Sequence, residues 1–214
     1  MMDQERLITY INSLEDGASP LVRQIAREAV ASYVPIIRKE TASLLKTLVV
    51  MKQPVQILEV GTAVGYSALL MAENMPAECH ITTIEKYEKR IPIARENFRR
   101  AGMEERITLL EGDAADILKG LEGPYDFIFM DAAKGQYIHF LEEVLRLLPV
   151  GGVLVSDNVL QDGDILESRF AVERRNRTIH SRMREYLYVL KHHEQLKTSI
   201  IPIGDGVTLS VRVR

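Results

Sequence analysis

The sequence predicts one α/β domain built on a mainly parallel, doubly wound sheet, and two observations carry that prediction. From Val55 onward, short apolar runs typical of buried strands alternate with segments of helical period. Two of these runs end in oxygen-bearing side chains, at Asp131 and at Asp157-Asn158. Because open α/β folds bind ligands beyond the carboxyl ends of their strands, we expect these side chains to meet at one edge of the sheet.

The first fifty or so residues are expected to be helical. Gly17 and Pro20 interrupt the pattern, and Pro35 is predicted to start a further helix. The apolar residues that recur at helical spacing include Leu7, Ile8, Ile11, Leu14, Leu21, Ile25 and Val30. We therefore treat residues 1–214 as a single domain, with a helical cap over 1–52 and an α/β core over 53–214.

The core is predicted to hold five strands in succession and then a hairpin. The strands are expected near residues 55–60, 80–85, 106–111, 125–131 and 151–156, with helices beginning near Tyr66, Tyr87, Ala114 and Tyr137. A basic helix is expected over about 171–192. The turn signal Gly204-Asp205-Gly206 separates two further strand-like runs, which predicts a terminal β-hairpin.

Composition narrows the class of protein. The chain has 214 residues, 46% hydrophobic and 27% charged, which is enough for one core. Neither a leader-like stretch nor a run of ~18 apolar residues occurs, so we expect a cytoplasmic protein without membrane contact. Cys79 is the single cysteine, which excludes an intrachain disulfide and a cysteine-based zinc cluster and fits a buried residue at a strand start.

Charge is uneven along the chain. The net charge of −3 does not indicate a nucleic-acid-binding protein, yet six arginines stand against Glu173 alone between Arg169 and Arg184. This segment is either a solvated helix face or a phosphate-binding patch.

The two polar strand ends predict a cation site. Asp131, Asp157 and Asn158 supply carboxylate and amide oxygens, which suit Mg²⁺, and Lys134 stands beside them. A divalent cation there could accept substrate oxygens in place of its waters.

The first strand turn predicts a nucleotide site. Gly61 and Gly65 permit a tight turn and close approach of the backbone to a ligand, but Tyr66 stands where a dinucleotide motif has its third glycine. Glu85 ends the second strand, some twenty residues later, where a carboxylate can hold a ribose diol. Asp113 fits either an adenine contact or the N-cap of the next helix.

Together these segments resemble the cation-dependent class I O-methyltransferases, which include the catechol and caffeoyl-CoA enzymes. The segments are Glu59–Ser67, Glu85, Gly112-Asp113-Ala114, Asp131 with Lys134, and Asp157-Asn158. A closer resemblance, to the bacterial tRNA 5-hydroxyuridine methyltransferases of the TrmR group, rests on residues 131–137, 157–160 and 200–206 and on the arginines at 174, 175 and 177.

The resemblance implies a Rossmann-like class I methyltransferase sheet of seven strands with an antiparallel last strand, helices on both faces and extra N-terminal helices. It implies that S-adenosylmethionine (SAM) contacts Ile37, Gly61, Gly65, Ser67, Glu85, Asp113, Ala114 and Asp131. Asp131, Asp157 and Asn158 would hold Mg²⁺ or Mn²⁺, and Lys134 would be the general base. It also implies a homodimer.

The expected reaction is methyl transfer from SAM to the 5-hydroxyl of 5-hydroxyuridine at the tRNA wobble position, giving 5-methoxyuridine. Arg174, Arg175 and Arg177 would contact the anticodon loop. The alternative is a methyltransferase of small catechol-like phenols, which gives the arginine-rich helix no purpose. An NAD-dependent oxidoreductase leaves the three oxygen ligands unexplained, and detectable methyl transfer would exclude a noncatalytic RNA-binding module.

Overall fold

The computed structural model describes residues 4–15 and 17–214, and its chain begins with three helices. These are α1 (Gln4–Ser13), α2 (Pro20–Ala31) and α3 (Lys39–Lys52). Ser19 caps α2 by accepting the Val22 N–H, and proline takes the first helical position, where no N–H is needed. The predicted interruption between α1 and α2 is therefore confirmed.

A seven-stranded sheet follows, and its strands alternate with five helices. The strands are β1 (Gln56–Val60), β2 (His80–Glu85), β3 (Ile107–Glu111), β4 (Phe127–Met130), β5 (Val153–Ser156), β6 (Leu196–Ile201) and β7 (Val207–Arg212). The helices are α4 (Tyr66–Ala72), α5 (Ile91–Arg100), α6 (Ala114–Gly120), α7 (Tyr137–Leu147) and α8 (Arg177–His192).

The strand order is β3-β2-β1-β4-β5-β7-β6. Neighbours from β3 to β5 are parallel, whereas β7 runs antiparallel to both β5 and β6. The predicted sheet with its antiparallel last strand is thus confirmed. The order reverses between β1 and β4, so a crevice opens beyond their carboxyl ends.

Both faces of the sheet are covered, which is why its central strands are apolar throughout. Side chains alternate between faces along a strand. Ile57 accordingly packs into a core with α2 to α5, and the adjacent Leu58 packs into a second core with α6, α7 and α8. This double burial holds the strand ends rigidly at the crevice.

Three predicted helix starts are wrong, each for a local reason. Helix α3 begins at Lys39 instead of Pro35, and Arg38 immediately before it has an extended backbone with φ −65° and ψ 154°. Helix α5 begins at Ile91 instead of Tyr87, since Pro92 has no N–H and is tolerated only in the first turn of a helix.

The basic helix also starts later than expected. Helix α8 begins at Arg177, and residues 174–176 form a separate 3₁₀ turn closed by the Asn176 N–H on the Glu173 carbonyl. Arg174 and Arg175 therefore precede the helix that they were expected to open. Across residues 4–15 and 17–214, no helix is long and apolar enough to cross a membrane. The division of the chain at residue 52 stays a prediction.

Candidate active site

A cavity of about 500 Å³ lies in the crevice beyond β1, β2 and β4, within the size range of small-molecule sites. Most of the predicted ligand-binding residues line it together. They are Gly61, Glu85, Asp113, Ala114, Asp131, Lys134 and Asn158. The fold thus brings the predicted nucleotide turn and the predicted cation site into one space.

The turn after β1 requires glycine. Gly61 has φ 108°, and a Cβ atom there would lie 2.1 Å from the backbone oxygen of Asp131. Gly65 has φ 83°, and its Cβ would lie 2.5 Å from a ring carbon of Phe98. The turn therefore packs against the end of β4 at Gly61 and against α5 at Gly65, and the Gly61 contact places the two halves of the site next to each other.

Glu85 is held by the backbone at the cavity wall. One carboxylate oxygen accepts the Ala63 N–H at 2.7 Å, and the other accepts those of Lys86 and Tyr87 at 2.9 and 2.8 Å. A carboxylate has further lone pairs, so this arrangement orients the group and leaves it able to accept hydroxyls.

Asp113 caps α6, as the second reading of the sequence proposed. Its side chain accepts the Ala115 N–H at 2.9 Å, which lowers the pKa of the carboxyl, and Lys86 adds a weaker contact. Both Asp113 and Ala114 also line the cavity, so capping and ligand contact are compatible here.

Ile37 is not among the cavity-lining residues. It is 6% exposed and packs in the core, whereas Pro35 and Ile36 line the cavity. The segment before α3 therefore does reach the cavity, but with a different residue from the one expected, because its backbone is extended where a helix was predicted.

A buried polar network that sequence reasoning missed lies beneath the glycine turn. Glu59 is fully buried and accepts the hydroxyls of Ser67 and Thr83, both at 2.5 Å. Burial raises the pKa of Glu59 to about 7, although these hydrogen bonds oppose the shift. Ser67, predicted to contact SAM, is therefore engaged with Glu59.

The predicted cation ligands lie next to one another. The amide nitrogen of Asn158 donates to Asp131 Oδ1 at 2.9 Å, which leaves the amide oxygen available. Asn158 has φ 61°, a left-handed conformation that asparagine tolerates. Asp157 is buried beside them, and its Oδ1 accepts its neighbour's backbone N–H at 2.8 Å.

The electrostatics of these carboxylates fit a cation. Burial first, and then the nearby Asp131, raise the pKa of Asp157 to about 7. Burial likewise raises the pKa of Asp131, against the effects of Asn158 and Lys134. Within the described chain, no group of three or more His, Cys, Asp and Glu side chains is arranged to bind a metal ion. The donor set is thus two carboxylates and one amide, whose repulsion a hard cation would relieve.

Tyr137 ties the ends of β4 and β5 together. Its buried hydroxyl lies 3.2 Å from the Met130 carbonyl and 3.1 Å from the Asp157 carbonyl. The ring packs edge-on against Tyr186, whose hydroxyl bonds to Ser156. Tyr137 therefore packs in the core and links the backbone at the ends of both cation strands.

Lys134 is paired with a residue from the terminal hairpin. Its Nζ lies 3.0 Å from Oδ2 of Asp205, whose side chain is only 4% exposed. Asp205 is fixed in turn, because its carbonyl accepts the Leu160 N–H. In this arrangement the Lys134 ammonium group donates a hydrogen bond to the Asp205 carboxylate, and the hairpin turn contributes to the site.

Comparison with known proteins decides the family. The O-methyltransferase family matches residues 12–213. The chain belongs to this family. A caffeoyl-CoA O-methyltransferase of Populus kitakamiensis is 32% identical over 228 aligned positions, covering 100% of this chain and 96% of the relative. A catechol O-methyltransferase of Niastella koreensis is 31% identical over 169 positions, covering 77% of this chain and 71% of the relative.

Among solved structures, an SAH-bound methyltransferase of Podospora anserina has a TM-score of 0.88 and 26% identity, with 100% of this chain and 98% of that chain covered. The fold of this O-methyltransferase is therefore that of a class I methyltransferase.

The arginine segment of this O-methyltransferase lies beside the site. Arg182 donates to the Gly135 carbonyl at 3.1 Å, which joins α8 to the turn that carries Lys134. Arg174 and Arg175 are exposed, and Arg175 pairs with Glu173 on the surface. Arg177 instead donates to the carbonyls of Phe170 and Val172, so it is engaged in shaping its own loop.

Proposed function

We propose that this O-methyltransferase uses SAM and a divalent cation to methylate the 5-hydroxyl of 5-hydroxyuridine at the wobble position of tRNA, giving 5-methoxyuridine. The observation that carries the tRNA substrate is the attachment of the arginine-bearing helix α8 to the Lys134 turn, through Arg182 and Gly135. Phosphates of an RNA entering the cavity would meet exposed guanidinium groups there.

The cofactor half of the proposal draws on Glu85 and the glycine turn. Glu85 would hold the ribose hydroxyls of SAM, and Asp113 with Ala114 would border the adenine. The rigid contact between Gly61 and the end of β4 would then set where the sulfonium methyl group stands relative to Asp131. The SAH bound in the Podospora anserina structure supports this assignment.

Asp131, Asp157 and Asn158 would hold Mg²⁺ or Mn²⁺. When bound, such a cation supplies Lewis acidity that favours ionisation of a nearby substrate hydroxyl. The residues around it orient the acceptor, because in-line displacement requires its oxygen to face the methyl group. As the oxygen–carbon bond forms, the carbon–sulfur bond breaks and SAM leaves as its neutral thioether.

Lys134 would either accept the proton that leaves the substrate hydroxyl or stabilise the negative charge that develops on its oxygen. Its contact with Asp205 fixes the ammonium group at the cavity wall, where a positive charge favours a developing oxyanion. General-base action requires that Lys134 first give up a proton, and the Asp205 contact makes positioning and charge stabilisation the stronger role.

An anticodon loop suits this site. Its wobble base is already single stranded and can be turned into a cavity at small unstacking cost. Incubation with labelled SAM, Mg²⁺ and tRNA from a strain that lacks this protein, followed by nucleoside analysis, tests the proposal. Label in 5-methoxyuridine is expected, and excess chelator should abolish it.

A second candidate substrate is a small catechol-like phenol. The relatives named catechol and caffeoyl-CoA O-methyltransferase favour it. The same cofactor and cation residues would serve, because a catechol also presents two neighbouring oxygens. Transfer to a catechol with none to tRNA would establish this substrate instead.

A further inference from the structure

Phe170 is a large aromatic residue left open to solvent close to the arginine segment. Its side chain is 83% exposed. Phe170 therefore contributes little apolar burial to the folded chain and presents its ring to solvent.

The loop around Phe170 is nevertheless held in place by side-chain hydrogen bonds. Arg177 donates from Nε to the Val172 carbonyl and from Nη2 to the Phe170 carbonyl, both at 3.2 Å. The Arg177 guanidinium carbon also lies 5.9 Å from the centre of the Phe170 ring, within cation–π range. Arg177 thus fixes the backbone under Phe170 and covers part of the ring, while the remainder faces water.

This ring lies near the proposed RNA entrance. Arg177 precedes Arg182, which contacts the Lys134 turn, by five residues of α8, or roughly 7.5 Å along the helix axis. Arg169, Arg174 and Arg175 are exposed in the same segment. Six arginines against one glutamate between 169 and 184 give this surface a charge complementary to a phosphate backbone.

We propose that Phe170, supported by Arg177, is a stacking platform for a nucleobase of single-stranded RNA next to the nucleotide that is methylated. This inference rests on the proposed function and assigns different roles to the arginines. Arg177 builds the platform, whereas Arg174 and Arg175 contact phosphates. Stacking on an aromatic ring is how proteins hold unpaired bases, because every base has a π face.

Fluorescence anisotropy with a labelled anticodon stem–loop RNA tests the platform. Phe170→Ala should weaken binding about 5- to 150-fold, the range expected for losing one stacked base. Phe170→Leu should lose most of the same affinity because it keeps apolar bulk without a π face, and Phe170→Trp should retain it. The slope of affinity against salt should not change in Phe170→Ala, since no phosphate contact is lost.

Tyr188→Ala is the matched control. Tyr188 is also an exposed aromatic residue, 65% exposed and stacked on His192 with centroids 4.1 Å apart. It lies eleven residues beyond Arg177 on the same helix, roughly 16 Å farther along the axis. Its removal should leave RNA affinity unchanged.

A double-mutant cycle identifies the stacked base. Two stem–loops are compared, one with an abasic nucleotide before the wobble position and one with it after. One of the two should bind the wild type more weakly than the intact stem–loop does. Phe170→Ala should bind that abasic stem–loop and the intact stem–loop with equal affinity, because the ring and the missing base act as one pair.

Wild-type affinity in Phe170→Ala or Phe170→Leu, or additive losses in the cycle, would overturn the platform while leaving tRNA methylation standing. If Phe170→Ala changes the oligomeric state of the protein and leaves its RNA affinity unchanged, the ring contacts another protein chain and the platform is overturned. A wild type that fails to bind the stem–loop would overturn both the platform and the proposed function.

Discussion

Substitution of Glu85 tests cofactor binding separately from the methyl-transfer step. Its three backbone N–H contacts orient it toward the cavity, so Glu85→Ala should weaken SAM binding by roughly 1–3 kcal/mol, the scale for losing hydrogen bonds to a charged group. Isothermal titration with SAM measures this loss. Glu88→Ala, an exposed glutamate nearby, should bind SAM like the wild type, and equal losses in both variants would contradict the assignment.

The pH dependence of a Lys134 variant shows whether this residue is a general base or a positioning group. Lys134→Ala should lower turnover with SAM binding largely retained, because the residue is assigned to the acceptor side. If Lys134 is the base, the deficit should shrink as pH rises and the substrate hydroxyl ionises unaided. A deficit that stays constant across pH would identify a positioning group, and Asp205→Asn should then show a similar constant loss of turnover.

Residues that stand at the end of an apolar strand could be predicted from the sequence. Residues that join the site only through tertiary contacts could not. Asp131, Asn158 and Glu85 each follow an apolar run, so parallel topology alone brings them together. Asp205 joins the site only because the hairpin folds back over β5, and its sequence context is that of an ordinary turn. The contacts of Tyr137 could not be predicted from the sequence, because its two carbonyl partners stand at the ends of different strands.

Strand β1 carries a pH-dependent element of stability. The pKa of Glu59 lies at about 7 in the folded protein, above its ordinary 4.5. The stability that this group contributes is therefore fully present below about pH 4.5 and is lost as pH rises through about 7, by on the order of 3 kcal/mol.

Urea unfolding of the wild type and Glu59→Gln at pH 5 and pH 8 measures this effect. The amide keeps hydrogen-bond partners for Ser67 and Thr83 and carries no charge, so the variant should be less sensitive to pH and more stable than the wild type at pH 8. An identical pH dependence in both proteins would contradict the buried-carboxylate account.

Hydrophobic periodicity predicted the strands of the core better than it predicted where the helices begin. Strands β1, β2, β4 and β5 were predicted because apolar runs buried on both faces have no other place in such a domain. The observed start of α5 places Pro92 in the first helical turn, whereas a helix beginning at Tyr87 would place this proline in its interior. Hydrophobic periodicity does not detect such a local backbone restriction.

The molecule as a whole is weakly acidic, yet its arginine segment should govern RNA binding. Replacing Arg174 and Arg175 with alanine should raise the KM for tRNA and reduce the salt slope of binding, by up to about 0.7–0.9 for each lost phosphate contact. A control that removes two exposed cations in or next to α5, Lys89 and Arg99, should leave the slope near the wild-type value, because α5 and α8 pack on opposite faces of the sheet. Equal effects in both variants would mean that net charge alone matters.

The measurement that tests the central claim most directly is the kcat/KM for tRNA carrying 5-hydroxyuridine, set against that for catechol with the same preparation, SAM and Mg²⁺. We expect a large preference for tRNA, with methyl label recovered only as 5-methoxyuridine and lost on chelation. Preferential transfer to catechol, or methylation of tRNA at full rate in excess EDTA, would contradict the account.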